Sequence, residues 1–121
     1  FKAANVTLED IDFAEVHDCF TIAELLTYEA MGLAPKGQGA RALEDGTVYR
    51  GGALPVNLSG GLKAKGHPGG ATGVSMHALA FRQLTNQAGD LQVVGAELGL
   101  LFNMGGSAVA NYVSVLEARK V

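Results

Sequence analysis

The spacing of hydrophobic and polar positions changes along the chain, and the first part of the pattern predicts a strand followed by a helix. Residues 13–17 alternate apolar and polar side chains, which indicates a short strand. Thr21–Met31 has apolar side chains at helical spacing, and Thr21 with Glu24 has the sequence of a capping box at its start. The positions expected on one apolar face of this helix are Ile22, Leu25, Leu26 and Ala30.

The second half of the chain predicts another helix and a hairpin. Residues 54–57 indicate a short buried strand, and residues 74–84 have Val74, Ala78 and Phe81 on one helical face. Residues 91–102 and 108–116 are strand-like and flank the Gly105-Gly106 turn, so we expect an antiparallel hairpin. The order β-α-β-α-β-β favours an α/β fold with helices on the faces of a mixed sheet of about four strands.

Two segments lack a regular pattern. Residues 34–53 predict a long surface loop, with a short hairpin at 47–49. Residues 6–12 read as a turn that follows a helix. Because the sequence starts at Phe1 and reaches a predicted element almost at once, we expect the domain formed by residues 1–121 to lack its first strand and most of its first helix.

Composition and charge narrow the classes of function. The 121 residues fit one domain, and the formal net charge of −3 disfavours a general nucleic-acid-binding surface. Cys19 is the single cysteine, which excludes an internal disulfide and a cysteine-only zinc site. We therefore expect no metal, and a reducing, cytoplasmic compartment. No apolar run reaches the roughly 18 residues that a membrane span needs.

Three segments combine reactive residues with predicted strand ends, where the ligand sites of open α/β sheets collect. The first is His17-Asp18-Cys19-Phe20, between the first predicted strand and helix. A thiol beside a helix N-terminus can be activated to move protons. The alternative is structural, with Cys19 as a small buried hydrophobe and Asp18 as a helix cap.

The second segment is residues 65–73, KGHPGGATG, where glycines let a ligand approach the backbone closely. Its backbone N–H groups can face an anion, and His67 can act as a base or as an oxyanion donor. The alternative is a plain glycine-rich turn with a surface histidine. His77 and the pair Lys63 and Lys65 are expected to be structural or minor.

The third segment is Asn103-Met104-Gly105-Gly106-Ser107, at the tip of the predicted hairpin. The backbone amides of such a turn can form an oxyanion hole, and the alternative is an ordinary hairpin turn.

Taken in order, these segments resemble the C-terminal half of a thiolase, and more closely the sterol-carrier-protein type. HDCF at residues 17–20 stands where most thiolases have an NEAF-type motif. Residues 60–73, GGLKAKGHPGGATG, resemble the signature GGxxxxGHPxGATG. Asn103-Met104-Gly105 stands where degradative and biosynthetic thiolases carry Cys-x-Gly. The resemblance covers essentially the whole chain and implies one half of a layered αβαβα fold, whose mixed sheet ends in an antiparallel hairpin.

The resemblance also implies an activity, which is acyl transfer to and from coenzyme A by Claisen condensation or thiolysis. Acyl-CoA and coenzyme A are then substrates, and no cofactor is covalently bound. His67 would activate a nucleophilic cysteine and bind the thioester oxygen, His17 would complete that oxyanion hole, and Cys19 would be the acid/base. The backbone N–H of Gly105 would line a second oxyanion hole. The residues expected to bind coenzyme A are Gly66, Pro68 and Asn103.

Two departures from the family pattern keep other functions open. The family's nucleophilic cysteine lies in the N-terminal half, so this chain is expected to be inactive alone, and thiolases imply a dimer or tetramer. Phe102 stands where many relatives of this subtype carry histidine. The alternatives are a non-catalytic thiolase-like subunit that binds acyl-CoA or scaffolds a complex, a small stand-alone binding module, and a retro-aldolase for steroid side-chain CoA esters. Tyrosines replace both histidines in that aldolase group, so His17 and His67 favour thiolase chemistry.

Overall fold

A mixed sheet carries helices on both faces in the computed structural model, which describes residues 1–119. In chain order the elements are β1 (Phe13–Val16), α1 (Thr21–Met31), α2 (Arg41–Glu44), α3 (Gly61–Lys65), α4 (Thr72–Leu84), β2 (Leu98–Gly105) and β3 (Ala110–Glu117), with 3₁₀ turns at Lys2–Ala4, Leu8–Asp10 and Gly89–Leu91. The strand order is β1-β2-β3. Strand β1 runs parallel to β2, and β2 runs antiparallel to β3. The predicted α/β class, mixed sheet and closing hairpin are confirmed.

The sheet has three strands within residues 1–119, and the fourth strand predicted at residues 54–57 is wrong. This segment makes one parallel bridge, between Val56 and Ala14. Pro55 has no backbone N–H, and Asn57 has a φ of 53°, so the extended backbone ends there. The side chain of Asn57 instead accepts the N–H of Val16 at 2.8 Å.

The two faces of the sheet bury separate clusters, because successive strand residues point to opposite faces. On one face Ala14, Val16 and Leu100 pack with Tyr28 of α1. On the other face Phe13 and Leu101 pack with Met76 and Ala80 of α4. Strand β1 is buried throughout, so both faces of its end are fixed by packing.

The bounds predicted for α1 are confirmed, but its predicted cap and buried face are wrong. No side chain caps its first turn, because the N-cap residue is Phe20 and Thr21 is already inside the helix. Glu24 instead accepts the hydroxyl of Tyr28 at 2.7 Å. Burial raises the pKa of that hydroxyl, which keeps it a donor. The buried residues are Thr27 and Tyr28. Ile22 and Leu26 of the predicted apolar face are more than half exposed.

Helix α4 also buries a different face from the one that the apolar spacing predicts. Its buried side chains include Met76, Ala80 and Gln83, whereas Val74 and Phe81 are exposed. Gln83 is tolerated inside because its amide donates to the carbonyl of Leu91 at 2.7 Å and accepts the N–H of Val93 at 2.8 Å. Apolar spacing alone therefore selected the wrong face.

The remaining differences concern strand bounds and loops. Strand β2 starts at Leu98 rather than at residue 91, because the polypeptide forms a 3₁₀ turn at Gly89–Leu91. The loop over residues 34–53 contains α2, and no hairpin forms at 47–49. The carbonyls of Thr47 and Val48 instead accept the N–H groups of Leu54 and Val56. That the domain lacks its first strand and most of its first helix stays a prediction.

Candidate active site

An open cleft of about 1310 Å³ lies at the edge of the sheet where the parallel strands β1 and β2 end. Open α/β sheets bind their ligands at such an edge, because loops there leave a crevice. Five residues singled out from the sequence line the cleft, namely His17, Cys19, His67, Asn103 and Gly105. Gly66 and Pro68 flank His67 but do not line it. The fold thus brings the three sequence segments to one cleft.

His17 is built into the end of the sheet. It follows β1, is 4% exposed, and places its Nδ1 atom 2.6 Å from Oδ1 of Asn103 on β2. An amide oxygen only accepts hydrogen bonds, so Nδ1 of His17 carries the proton in this arrangement. The neutral ring then has its lone pair on Nε2, which can donate to an anion once the ring is protonated.

His67 is exposed and depends on the loop between α3 and α4. Its Nδ1 atom lies 2.7 Å from the Thr72 hydroxyl oxygen, and that hydroxyl donates to the carbonyl of Pro68 at 3.1 Å. The Thr72 oxygen therefore accepts from Nδ1–H, and Nε2 of the neutral ring is free to take a proton. Such a ring can first act as a base and then, as an imidazolium, donate to a developing oxyanion.

The two imidazole rings meet edge to face. Their centroids are 4.8 Å apart and their planes are inclined by 86°. Two residues that are 50 positions apart in sequence therefore converge on one point of the cleft. The sequence predicts that both histidines belong to one site through the family resemblance, and this geometry supports that interpretation.

Asp18 joins the two histidine segments to each other. Its side chain is buried, and Oδ1 accepts the backbone N–H of Leu62 at 2.7 Å. Gly61 packs against the same carboxylate and leaves no room for a Cβ atom. The alternative interpretation of Asp18 as a cap of α1 is wrong, because it bonds the first turn of α3 and α1 has no side-chain cap.

Cys19 and Gly105 both line the cleft. Cys19 is a free thiol of intermediate exposure, so it is not the fully buried hydrophobe of the structural alternative. Gly105 ends β2 opposite Ala110 and is exposed. The turn after it has three consecutive residues with positive φ, Gly106, Ser107 and Ala108.

The rest of the cleft is apolar and explains the exposed side chains of α1 and α4. Phe20, Ile22 and Leu26 line one wall, and Val74 lines another. Phe102, which stands where many relatives of the subtype carry histidine, also lines the cleft and packs against the core. This wall fits an apolar chain rather than a charged group.

Several supporting contacts were not predicted from the sequence. The sequence predicts Thr72 only as part of a glycine-rich motif, whereas in the structure its hydroxyl orients His67. The position of Thr72, five residues after the histidine and at a helix start, is the sequence signal for this contact.

The sequence predicts Lys65 only as part of a minor basic pair, whereas in the structure it forms a 2.9 Å ion pair with Glu15. Nothing in the sequence signals that pair, because its members are 50 residues apart.

The described part of the chain gives no sign of a metal centre or a membrane span. Within residues 1–119 no group of three or more His, Cys, Asp or Glu side chains could hold a metal ion. No helix there is long and apolar enough to cross a bilayer.

The chain belongs to the thiolase C-terminal domain-like family, whose model matches residues 1–118. It is 52% identical to an acetyl-CoA acetyltransferase of Methanothermobacter thermautotrophicus over 107 residues, which are 88% of this chain and 28% of that protein. It is 49% identical to human sterol carrier protein 2 over 110 residues, which are 90% of this chain and 20% of that protein. The resemblance to sterol-carrier-protein-type thiolases is confirmed.

Two further relatives extend the comparison. The chain is 43% identical to the benzoylsuccinyl-CoA thiolase subunit BbsB of Thauera aromatica over 93 residues, 77% of this chain and 24% of that subunit. A solved Ltp2-ChsH2(DUF35) aldolase matches with a TM-score of 0.77 and 25% identity, over 99% of this chain and 30% of the other. The chain thus spans less than a third of the length of each of these relatives.

Proposed function

We propose that this chain provides the histidine pair and the acid/base side of a thiolase-type acyltransferase site. The observation that carries the proposal is the convergence of His17 and His67, with ring centroids 4.8 Å apart, in a largely apolar cleft. The acyl chain would lie along the apolar wall, and the thioester oxygen would face the two rings. The nucleophilic cysteine would come from a further segment, since Cys19 is the one thiol in the sequence.

The proposed reaction balances with these groups. The nucleophilic thiol gives its proton to Nε2 of His67 and attacks the keto carbon of a 3-ketoacyl-CoA, whose oxygen takes the negative charge. The bond between the α- and β-carbons then breaks, and the acetyl-CoA carbanion takes a proton from Cys19. Coenzyme A gives its thiol proton back to Cys19 and attacks the acyl-enzyme, which releases acyl-CoA and the nucleophilic thiolate. That thiolate then takes its proton back from Nε2 of His67, which restores the starting state.

Gly105 would stabilise the negative charge on the attacked keto oxygen through its backbone N–H, and Asn103 would hold the coenzyme A side of the substrate together with Gly66 and Pro68. Each well-placed oxyanion donor is worth about 10²–10³ in rate. The protein would work in a reducing, cytoplasmic compartment as a dimer or tetramer, with no metal and no covalently bound cofactor.

The test uses the complete protein, meaning this chain together with the segment that carries the nucleophile. His67→Ala should lower kcat for thiolysis by at least about 10²-fold, because it removes both the base and an oxyanion donor. The control is Arg82→Ala, at an exposed position of α4 that does not line the cleft, and it should keep the wild-type kcat. Near-normal turnover in His67→Ala would contradict the proposal.

A retro-aldolase is the second candidate, because the solved aldolase shares the fold over nearly the whole chain. Such an enzyme would split a 3-hydroxyacyl-CoA into acyl-CoA and a ketone or aldehyde without free coenzyme A. His17 and His67 favour the thiolase instead, since the aldolase group that the sequence resembles carries tyrosines at both positions. Cleavage of a 3-hydroxyacyl-CoA by the complete protein, with no thiolysis of the matching 3-ketoacyl-CoA, would favour the aldolase.

A further inference from the structure

We propose that a triad formed by the buried Glu15 and the partly buried Ser59 and Lys65 is a positioning device that holds His67 against His17. Nζ of Lys65 lies 2.9 Å from Oε2 of Glu15 and 2.9 Å from Oγ of Ser59. The Ser59 hydroxyl donates to the same carboxylate oxygen at 2.7 Å, and the Ser59 N–H approaches Oε1 at 3.4 Å. The three side chains therefore form a closed network between β1, the segment before α3 and the end of α3.

The two charged members of the triad have the same sequence spacing to the two histidines. Glu15 precedes His17 by two residues and Lys65 precedes His67 by two residues. Glu15 and His17 lie on the same side of β1 as Phe13, because side chains alternate along a strand. The Glu15–Lys65 ion pair thus links the two chain segments that lead to His17 and His67.

The loop that carries His67 has few other contacts that could hold it in place. Gly66 ends α3 with φ 95° and ψ 161°, a conformation that residues with a side chain rarely adopt. Residues 66–71 are all exposed, so packing does little to place the loop. Lys65 is the last partly buried side chain before His67, and its ammonium group ties the loop to the sheet.

The low exposure of the Lys65–Glu15 ion pair argues against two other roles, which are a contribution to stability and the binding of a ligand. The Lys65 and Glu15 side chains are 18% and 6% exposed, and a buried ion pair adds little net stability over apolar residues of the same shape. The carboxylate neutralises the ammonium group, so Lys65 is poorly placed to bind an anion. Lys63, on the same helix, is exposed and has Nζ 3.5 Å from the Cys19 carbonyl.

The test compares three variants of the complete protein. Lys65→Met should lower kcat about 10- to 100-fold, as expected for a misplaced catalytic group, with KM within about twofold. Glu15→Gln/Lys65→Met removes both charges, so it avoids an unpaired buried charge and should keep the fold while kcat stays low. Lys63→Met is the matched control and should leave kcat and KM unchanged. Crystal structures of the variants measure the distance between the two rings.

Each outcome of these measurements either supports or overturns the role of the triad. A longer distance between the ring centroids in the double variant, together with a low kcat per folded molecule, supports the triad's role. Wild-type kcat with the rings still 4.8 Å apart overturns it, and so does a loss of rate that follows only the folded fraction. In a His67→Ala background, Lys65→Met should cost no further rate, and an additional loss would also overturn the role.

The inference rests on the proposed function only through the rate measurements. If His67→Ala leaves turnover unchanged, the thiolase proposal fails, and the ring distance in the variant structures still decides whether the triad positions the loop. If His67→Ala abolishes turnover while the triad variants match the control, only the positioning inference fails.

Discussion

The two sides of the cleft hold their histidines in different ways. His17 is 4% exposed, continues a strand that is buried on both faces, and bonds a side chain of the neighbouring strand. His67 is exposed, stands on a glycine-rich loop, and is oriented by Thr72 at the start of α4. Substitutions around His17 should therefore affect folding and rate together, whereas substitutions around His67 should change the rate with little effect on folding.

The largest effect is expected on the buried side, from Cys19→Ala in the complete protein. Exchange of the α-protons of acetyl-CoA with deuterated solvent should fall by about 10²–10⁴-fold, because the acid/base is lost. Arg82→Ala, at an exposed position of α4 that does not line the cleft, is the control and should keep the wild-type exchange rate. Deuterium incorporation at the wild-type rate would show that another group moves this proton.

On the loop side, Thr72→Val should lower kcat about tenfold, less than the 10²–10⁴ of a complete general base. Valine keeps the shape of threonine, but the acceptor that orients Nδ1 of His67 is lost. Thr85→Val is the matched control, because Thr85 also bonds a helix carbonyl and lies at the far end of α4. Equal kcat values for the two variants would contradict the orienting role of Thr72.

The contact between the two sides is tested by Gly61→Ala. A methyl group at position 61 meets the Asp18 carboxylate, and the φ of 63° is strained for alanine. We expect a loss of about 1–3 kcal/mol in the free energy of unfolding. Gly37→Ala is the control, since Gly37 has a φ of 80° but open space around it. Equal losses in chemical denaturation would mean that the Asp18 contact is unimportant.

The smallest effect is expected at Glu29, whose side chain does not line the cleft. The backbone N–H groups of Gly37 and Gly39 bond its carboxylate and hold its pKa below the usual value. A lowered folded pKa stabilises the protein above the unfolded value of about 4.5, and that contribution disappears as the pH falls through the folded pKa. Glu29→Gln should lower the melting temperature at neutral pH, and the difference should close in acid. A difference independent of pH would contradict this.

The sequence predicted the fold class, the bounds of α1 and the closing hairpin, because local periodicity and turn residues determine these features. It placed α1 and α4 with the wrong faces inward, since the apolar residues Ile22, Leu26 and Val74 line an open cleft. Apolar spacing cannot distinguish a side chain that meets the core from one that lines a ligand cleft.

The residues of the site could be predicted from the sequence, but the contacts between them could not. The motifs indicated which residues belong together, but not the contacts that orient them. The bond from His17 to Asn103 joins residues 86 positions apart, and the Glu15–Lys65 pair joins residues 50 positions apart. Such contacts depend on the packing of the sheet and have no local sequence signal.

The central claim is that the two histidines act as one unit on the same charge. A double-mutant cycle in the complete protein tests it, with kcat for thiolysis measured for His17→Ala, His67→Ala and the double variant. Residues that act as a unit are strongly non-additive. We therefore expect the double variant to lose little more than the worse of the two single variants. A double variant whose loss equals the product of the single losses would show that His17 and His67 act independently.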